Sequence, residues 1–232
     1  MPMEAEIVAK NLAVLRENIE AACRRSGQPP GDVTLVAVTK TVGNEVALAL
    51  VAAGALDLGE NRVQELQSKA EALRDLPIRW HMIGHLQRNK VRKVLPIAQI
   101  IHSVDSLRLA QEINEQAGKL GLKARILIEM NVSGEASKFG LAPGDLPALL
   151  NEIASLEHLI VEGLMTMPPI AADPEMSRPY FRRLRELRDA HGLKHLSMGM
   201  SQDYAVAVEE GATFVRVGTA LFAGLESSSS LS

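Results

Sequence analysis

Val33-Thr34-Leu35-Val36-Ala37-Val38 is an apolar, β-branched run without regular polar alternation. A strand buried on both faces has this character, and such strands belong to parallel sheets. Residues 45–54 follow and read as a helix, and the strand-then-helix rhythm repeats to the end of the chain. Further strands are expected at 56–59, 78–83, 97–104, 124–132, 159–167, 196–198 and 213–217. Helices are expected at 63–73, 88–95, 106–119, 145–155, 175–190 and 202–210, with a last short one beginning at 220–223. Eight such units imply parallel strands joined by helical crossovers. The chain has 232 residues, which suits an α/β fold of the single-domain (β/α)8 TIM-barrel type, since that fold takes about 250 residues and shrinks to about 200. An open doubly wound sheet is the alternative.

Upstream, Ile7, Val8, Leu12, Leu15, Ile19 and Ala22 recur at helical spacing. An extra N-terminal amphipathic helix is therefore expected at 3–25. Ser26-Gly27-Gln28-Pro29-Pro30-Gly31 stops it. No Pro/Gly/Ser linker divides the middle of the chain, so one domain over 1–225 is expected, with a frayed, disordered, serine-rich tail at 226–232.

Lys and Arg number 25 against 28 Asp and Glu, a net charge of −3. That balance argues against a protein that grips nucleic acid phosphates. Aromatic residues make up 3%, too few for base-stacking platforms. The arginine-rich run 182–188 alternates with leucines at helical spacing and reads as a solvated helix face. Cys23 is the single cysteine, which excludes an intrachain disulfide and an all-cysteine zinc site. The N-terminus has no secretory pattern, and the uncharged run 46–56 is roughly half the ~20 residues of a spanning helix. A cytoplasmic protein with no membrane or nucleic acid partner is expected.

In a barrel of this kind chemistry sits at the C-terminal ends of the strands. Lys40 closes the first strand. It is either an ordinary solvated lysine or an amine aimed into a ligand-filled mouth, where it can attack a carbonyl. Asn61 opens the second helix, as its N-cap or as a ligand contact. His81 and His85 are four apart, but on strand and loop and without a following glutamate, so they do not read as a metal pair. His81 is expected at the mouth and His85 on the loop. The long polar stretch 129–140 is a candidate lid. Ser201 is placed as an N-cap after the seventh strand, and Gly218 and Thr219 follow the eighth. Loops after strands seven and eight form the usual phosphate site of such barrels. Arg216 lies inside an apolar strand and needs a partner, a barrel carboxylate or a ligand. A lysine for an aldehyde, a cradle for a phosphate and a buried arginine together describe a site for pyridoxal 5′-phosphate.

The motifs Leu35-Val36-Ala37-Val38-Thr39-Lys40-Thr41, Gly59-Glu60-Asn61-Arg62-Val63-Gln64-Glu65 and Trp80-His81-Met82-Ile83-Gly84-His85-Leu86-Gln87 occur in order. Ser137-Lys138-Phe139-Gly140, Leu164-Met165-Thr166-Met167, Ser197-Met198-Gly199-Met200-Ser201-Gln202-Asp203 and Val215-Arg216-Val217-Gly218-Thr219 follow. With these seven, nearly the whole chain resembles the pyridoxal-phosphate-binding homeostasis proteins, which are similar in fold to the barrel domain of alanine racemase. The resemblance implies that Lys40 holds the cofactor as a Schiff base. It further implies that Ser201, Gly218 and Thr219 bind the phosphate, that Arg216 faces the ring nitrogen, and that Asn61 and Met200 border the cofactor. Thr39 and Val42-Gly43 depart from the Ser and Lys-Pro common in the family. The implied function is an intracellular carrier of pyridoxal phosphate, without robust catalysis, supplying apo-enzymes; the aliphatic, aromatic-poor surface offers no obvious dimer patch, so a monomer is expected. A racemase of this type would need a base from a second domain, and only a short tail follows the last strand. The alternatives are a racemase-like enzyme using His81 or the strand-five loop, and an aldolase-like barrel.

Overall fold

Eight parallel strands close into a ring in chain order in the computed structural model, which describes residues 2–135 and 139–225. They are β1 (Thr34–Val38), β2 (Asp57–Glu60), β3 (Arg79–Met82), β4 (Ala98–Val104), β5 (Ala124–Glu129), β6 (Leu159–Met165), β7 (His195–Ser197) and β8 (Phe214–Val217). β1 pairs with β2 on one side and with β8 on the other, so the sheet has no edge and the open-sheet alternative is excluded. Closure explains why the strands lack polar alternation. Val36, Ile100, Leu127, Met165 and Phe214 pack in the lumen. Their neighbours of opposite parity, among them Ala37, Leu58, Ile101, Ile126, Ile128, Leu164 and Val215, belong to the larger core under the helices.

Around the ring lie α2 (Asn44–Ala52), α3 (Val63–Ala72), α4 (Val91–Val94), α5 (Leu107–Lys119), α6 (Leu146–Ile153), α7 (Arg178–Ala190) and α8 (Tyr204–Glu209). The leading helix α1 (Pro2–Ser26) packs against α2 and α8. Its apolar stripe, from Val8 and Leu12 to Ala22 and Cys23, is buried. Asn11 Nδ2 donates to the carbonyls of Leu221 (3.0 Å) and Ala223 (2.9 Å), tying α1 to the segment after β8.

Several expected elements differ at their ends. The strands expected over 124–132 and 159–167 stop at Glu129 and Met165, where the chain leaves the ring for the mouth loops. The helix expected at 175–190 begins with a 3-10 turn, Pro174–Ser177, and continues as α7, whose first turn accommodates Pro179 because the missing N–H has no helical partner there. The expected helix at 220–223 is a series of turns, bonded from Leu221 N to Gly218 O and from Phe222 N to Thr219 O. The tail 226–232, and Ser137 and Lys138 of the fourth motif, lie outside the described residues. No helix among the described residues is long and apolar enough to cross a membrane.

Candidate functional site

A cavity of about 450 Å³ opens at the C-terminal ends of the strands, within the usual size range of small-molecule sites. Lys40, Asn61, Met200, Ser201, Arg216, Gly218 and Thr219 all line it, although they come from the ends of four strands.

Lys40 stands in the turn that follows β1 and is exposed at the cavity rim. Behind it, Thr39 is fully buried and held from three sides. Its N–H donates to Gly59 O at 3.0 Å, its hydroxyl donates to Glu60 Oε1 at 2.6 Å, and its carbonyl accepts from Lys69 Nζ. Lys69 also bonds Glu60 Oε1 at 2.6 Å, and both side chains are buried. This ion pair fixes the backbone that presents Lys40. It was legible only as a lysine on the same stripe of α3 as Val63 and Leu66.

Asn61 is not a helix cap. The N-cap of α3 is Arg62, which makes no side-chain capping bond, and Asn61 borders the cavity instead. Gly84, also in the cavity wall, passes so close that a Cβ there would lie 2.2 Å from Asn61 O. Two backbones meet at that point, so no side-chain motion relieves the collision. Gly84→Ala is expected to cost about 1–3 kcal/mol in denaturant unfolding and to weaken ligand uptake by displacing Asn61.

The loops after β7 and β8 are joined to each other. Ser201 was expected to cap α8, but the N-cap is Asp203. Ser201 Oγ instead accepts from Ala220 N at 3.2 Å, across the two loops. Asp203 Oδ1 accepts from Met200 N at 2.7 Å, and Arg216 N donates to Gly199 O at 2.9 Å. A Cβ on Gly218 would lie 3.2 Å from Val38 O, so glycine permits the close packing of β8 on β1.

Arg216 is buried, and its hydrogen-bond partners are neutral: Ser197 Oγ at one terminal nitrogen and Thr166 O, at 2.9 Å, at the other. Burial pushes its pKa down to about 10, against the opposing pull of Glu129 and Asp203, so it remains a cation at neutral pH. Glu129 is also buried at the end of β5. Burial and the nearby charge of Asp105 push its carboxyl up to about 7, with Arg216 acting against the shift.

Two expectations about mouth residues fail. His81 lies deep in the lumen, with Nε2 3.0 Å from Asp57 Oδ1 and Nδ1 2.9 Å from His102 Nε2. Its parity on β3 is that of Arg79, which puts it inside the ring, below the mouth. His85 is on the exposed loop, stacked on Phe139 at 4.5 Å. In the candidate lid, Asn131 Oδ1 accepts from Gly134 N at 3.0 Å, and none of the described residues of 129–140 lines the cavity. The outer wall comes from the loop after β6, through Met167, Pro169, Ile170, Ala171 and Pro174. Its sequence signal is the apolar, proline-bearing run Met167-Pro168-Pro169-Ile170 that follows a buried strand.

The model of the alanine racemase N-terminal domain family matches residues 11–226. The pyridoxal phosphate homeostasis protein of Aquifex aeolicus is 46% identical over 219 residues, covering 92% of this chain and 96% of its relative. The chain belongs to the pyridoxal phosphate homeostasis protein family. Two solved structures agree with that membership of the homeostasis family. An unknown protein from Bifidobacterium adolescentis has a TM-score of 0.89 at 36% identity, covering 95% of this chain and 96% of that one. PipY of Synechococcus elongatus, solved with pyridoxal phosphate bound, has a TM-score of 0.81 at 38% identity, covering 93% and 99%.

Proposed function

We propose that this chain binds pyridoxal phosphate in the mouth cavity and holds it in reserve for apo-enzymes inside the cell. The observation that carries the reading is the convergence on one cavity of an amine, a buried cation and two hydroxyls: Lys40, Arg216, Ser201 and Thr219. These match the three polar parts of the cofactor. Its aldehyde condenses with a lysine amine, releasing water. Lys40 is the amine, exposed at the rim and backed by the rigid Thr39 peptide. Ser201 and Thr219 supply hydroxyls and Gly218 close backbone for a phosphate, with the two loops braced by the Ser201–Ala220 bond. Arg216 is the partner of the ring nitrogen.

Arg216 also favours storage over catalysis. A guanidinium only donates hydrogen bonds. A ring nitrogen facing it must accept, which keeps it unprotonated and weakens the ring as an electron sink. The PipY structure with the cofactor bound and the name of the Aquifex aeolicus relative support the same reading.

Titration of the protein with pyridoxal phosphate, followed in the near-ultraviolet and visible, tests this. Wild type is expected to develop a new absorption band, and Lys40→Ala to lack it. A protein that stays colourless contradicts the reading and favours the aldolase-like alternative. Amino-acid racemisation at ordinary enzymatic rates, about 1 per second or more, abolished by Lys40→Ala, contradicts a carrier and favours a racemase.

A further inference from the structure

Arg216 is buried with neutral partners, and those partners lead away from the cavity. It donates to Ser197 Oγ, which lies 2.8 Å from His102 Nδ1. His102 Nε2 is 2.9 Å from His81 Nδ1, and His81 Nε2 is 3.0 Å from Asp57 Oδ1. Arg79 clasps Asp57 from the other side through Nε and a terminal nitrogen. The path runs from β8 to β7, crosses the lumen to β4, and descends through β3 to the first residue of β2. Ser197, His102 and His81 are buried, and the Phe214 ring packs edge-on against both imidazoles, at 5.8 and 5.4 Å.

The protons on this path have one arrangement that satisfies every group. Burial acts to raise the Asp57 pKa, but the bonds from His81 and Arg79 outweigh it and hold the carboxyl below its usual range. An ionised carboxylate only accepts, so His81 donates from Nε2. Burial above all, with the charge of Arg216, holds His102 well below the ordinary range, so it carries one proton. Were that proton on Nδ1, Ser197 would accept from both His102 and Arg216, and its own hydrogen would lose its place on the path. His81 would then have to donate at both nitrogens and carry a charge. With the proton of His102 on Nε2, each group donates once in the same direction: Arg216 to Ser197, to His102, to His81, to Asp57.

We propose that this one-way chain, anchored at its far end on the Arg79-held carboxylate of Asp57, fixes Arg216 from behind, and that Ser197, His102 and His81 are positioning residues that hold the guanidinium at the cavity. A proton exit is the wrong description, because Arg216 keeps its proton at neutral pH. The role in holding a ligand rests on the pyridoxal phosphate reading; the direction of the chain does not.

Two measurements test it separately. Nitrogen-15 NMR of the imidazoles in the ligand-free wild-type protein at pH 7 is expected to show His81 and His102 both neutral and both protonated at Nε2. A doubly protonated ring, or one protonated at Nδ1, overturns the chain whatever the protein binds. In the second, Ser197→Ala is expected to weaken pyridoxal phosphate binding about tenfold or more, the effect of losing a hydrogen bond to a charged group, and to shift the absorption band of the bound form. Ser197→Thr, which keeps the hydroxyl, is expected to restore both. A Ser197→Ala protein with wild-type affinity and band overturns the positioning role. A wild-type protein that takes up no pyridoxal phosphate contradicts the functional reading, and the imidazole spectrum then decides the chain alone.

Discussion

Lys69→Met is expected to destabilise the protein by about 3–5 kcal/mol, the cost of leaving a buried charge without its partner. Glu60 is 0% exposed and Lys69 4%. One carboxylate oxygen of Glu60 serves both Lys69 and the Thr39 hydroxyl, and the other has no hydrogen-bond partner among the described residues. Methionine fills similar volume but cannot neutralise that carboxylate, and it also abandons the Thr39 carbonyl that Lys69 holds. The double variant Glu60→Gln with Lys69→Met removes both charges and should recover much of the loss, because an apolar or neutral replacement of a whole buried pair is often tolerated. Denaturant unfolding reads this as a lower midpoint at unchanged slope. A loss below about 1 kcal/mol would place the pair with ordinary surface ion pairs. Because Thr39 precedes Lys40, the same variant should also weaken uptake of pyridoxal phosphate.

Glu129→Gln is expected to stabilise the protein at alkaline pH and leave it unchanged in acid. Burial beside Asp105 raises the Glu129 carboxyl from 4.5 to about 7 in the folded state. A raised pKa means that the fold disfavours the ionised form. The stability is therefore fully present below the unfolded value of 4.5, and it falls as pH rises through about 7. Glutamine keeps the shape and never ionises. The variant should match wild type near pH 4 and exceed it by about 3 kcal/mol near pH 8.5. Thermal or denaturant unfolding at the two pH values measures the difference. An equal effect at both would mean that folding does not shift the Glu129 carboxyl, and a loss at pH 8.5 alone would mean that Arg216 stabilises it as an anion; either contradicts the expectation.

The ring was legible because both-face burial of parallel strands leaves an unmistakable pattern: Val33-Thr34-Leu35-Val36-Ala37-Val38 cannot serve a half-exposed sheet. The residues around the mouth were legible for a related reason. A lysine after such a strand, an arginine inside another, and Gly-Thr opening the next turn are costly unless they face a cavity, and Lys40, Arg216, Gly218 and Thr219 all do. What escaped was the layer that holds them. Glu60 closes β2 and Lys69 resembles a helix-surface residue, and only the packing of α3 on β2 reveals that they are shut in together. His81 was read at the mouth because strand height depends on register, which pairs it with Gly59 in the middle of β2. Asp57 on β2 is six strands from Arg216 on β8 in chain order, and only closure of the barrel brings them onto one path. The capping roles expected of Asn61 and Ser201 were local readings, overridden by contacts between loops.

The central claim, that Lys40 is the residue to which pyridoxal phosphate attaches, has a direct test. The protein is loaded with the cofactor, reduced with borohydride to fix the adduct, digested and mapped by mass spectrometry. The account predicts a single modified peptide carrying the label on Lys40, and no label in Lys40→Ala. A label on another lysine of the wild-type protein, or on none, would contradict it.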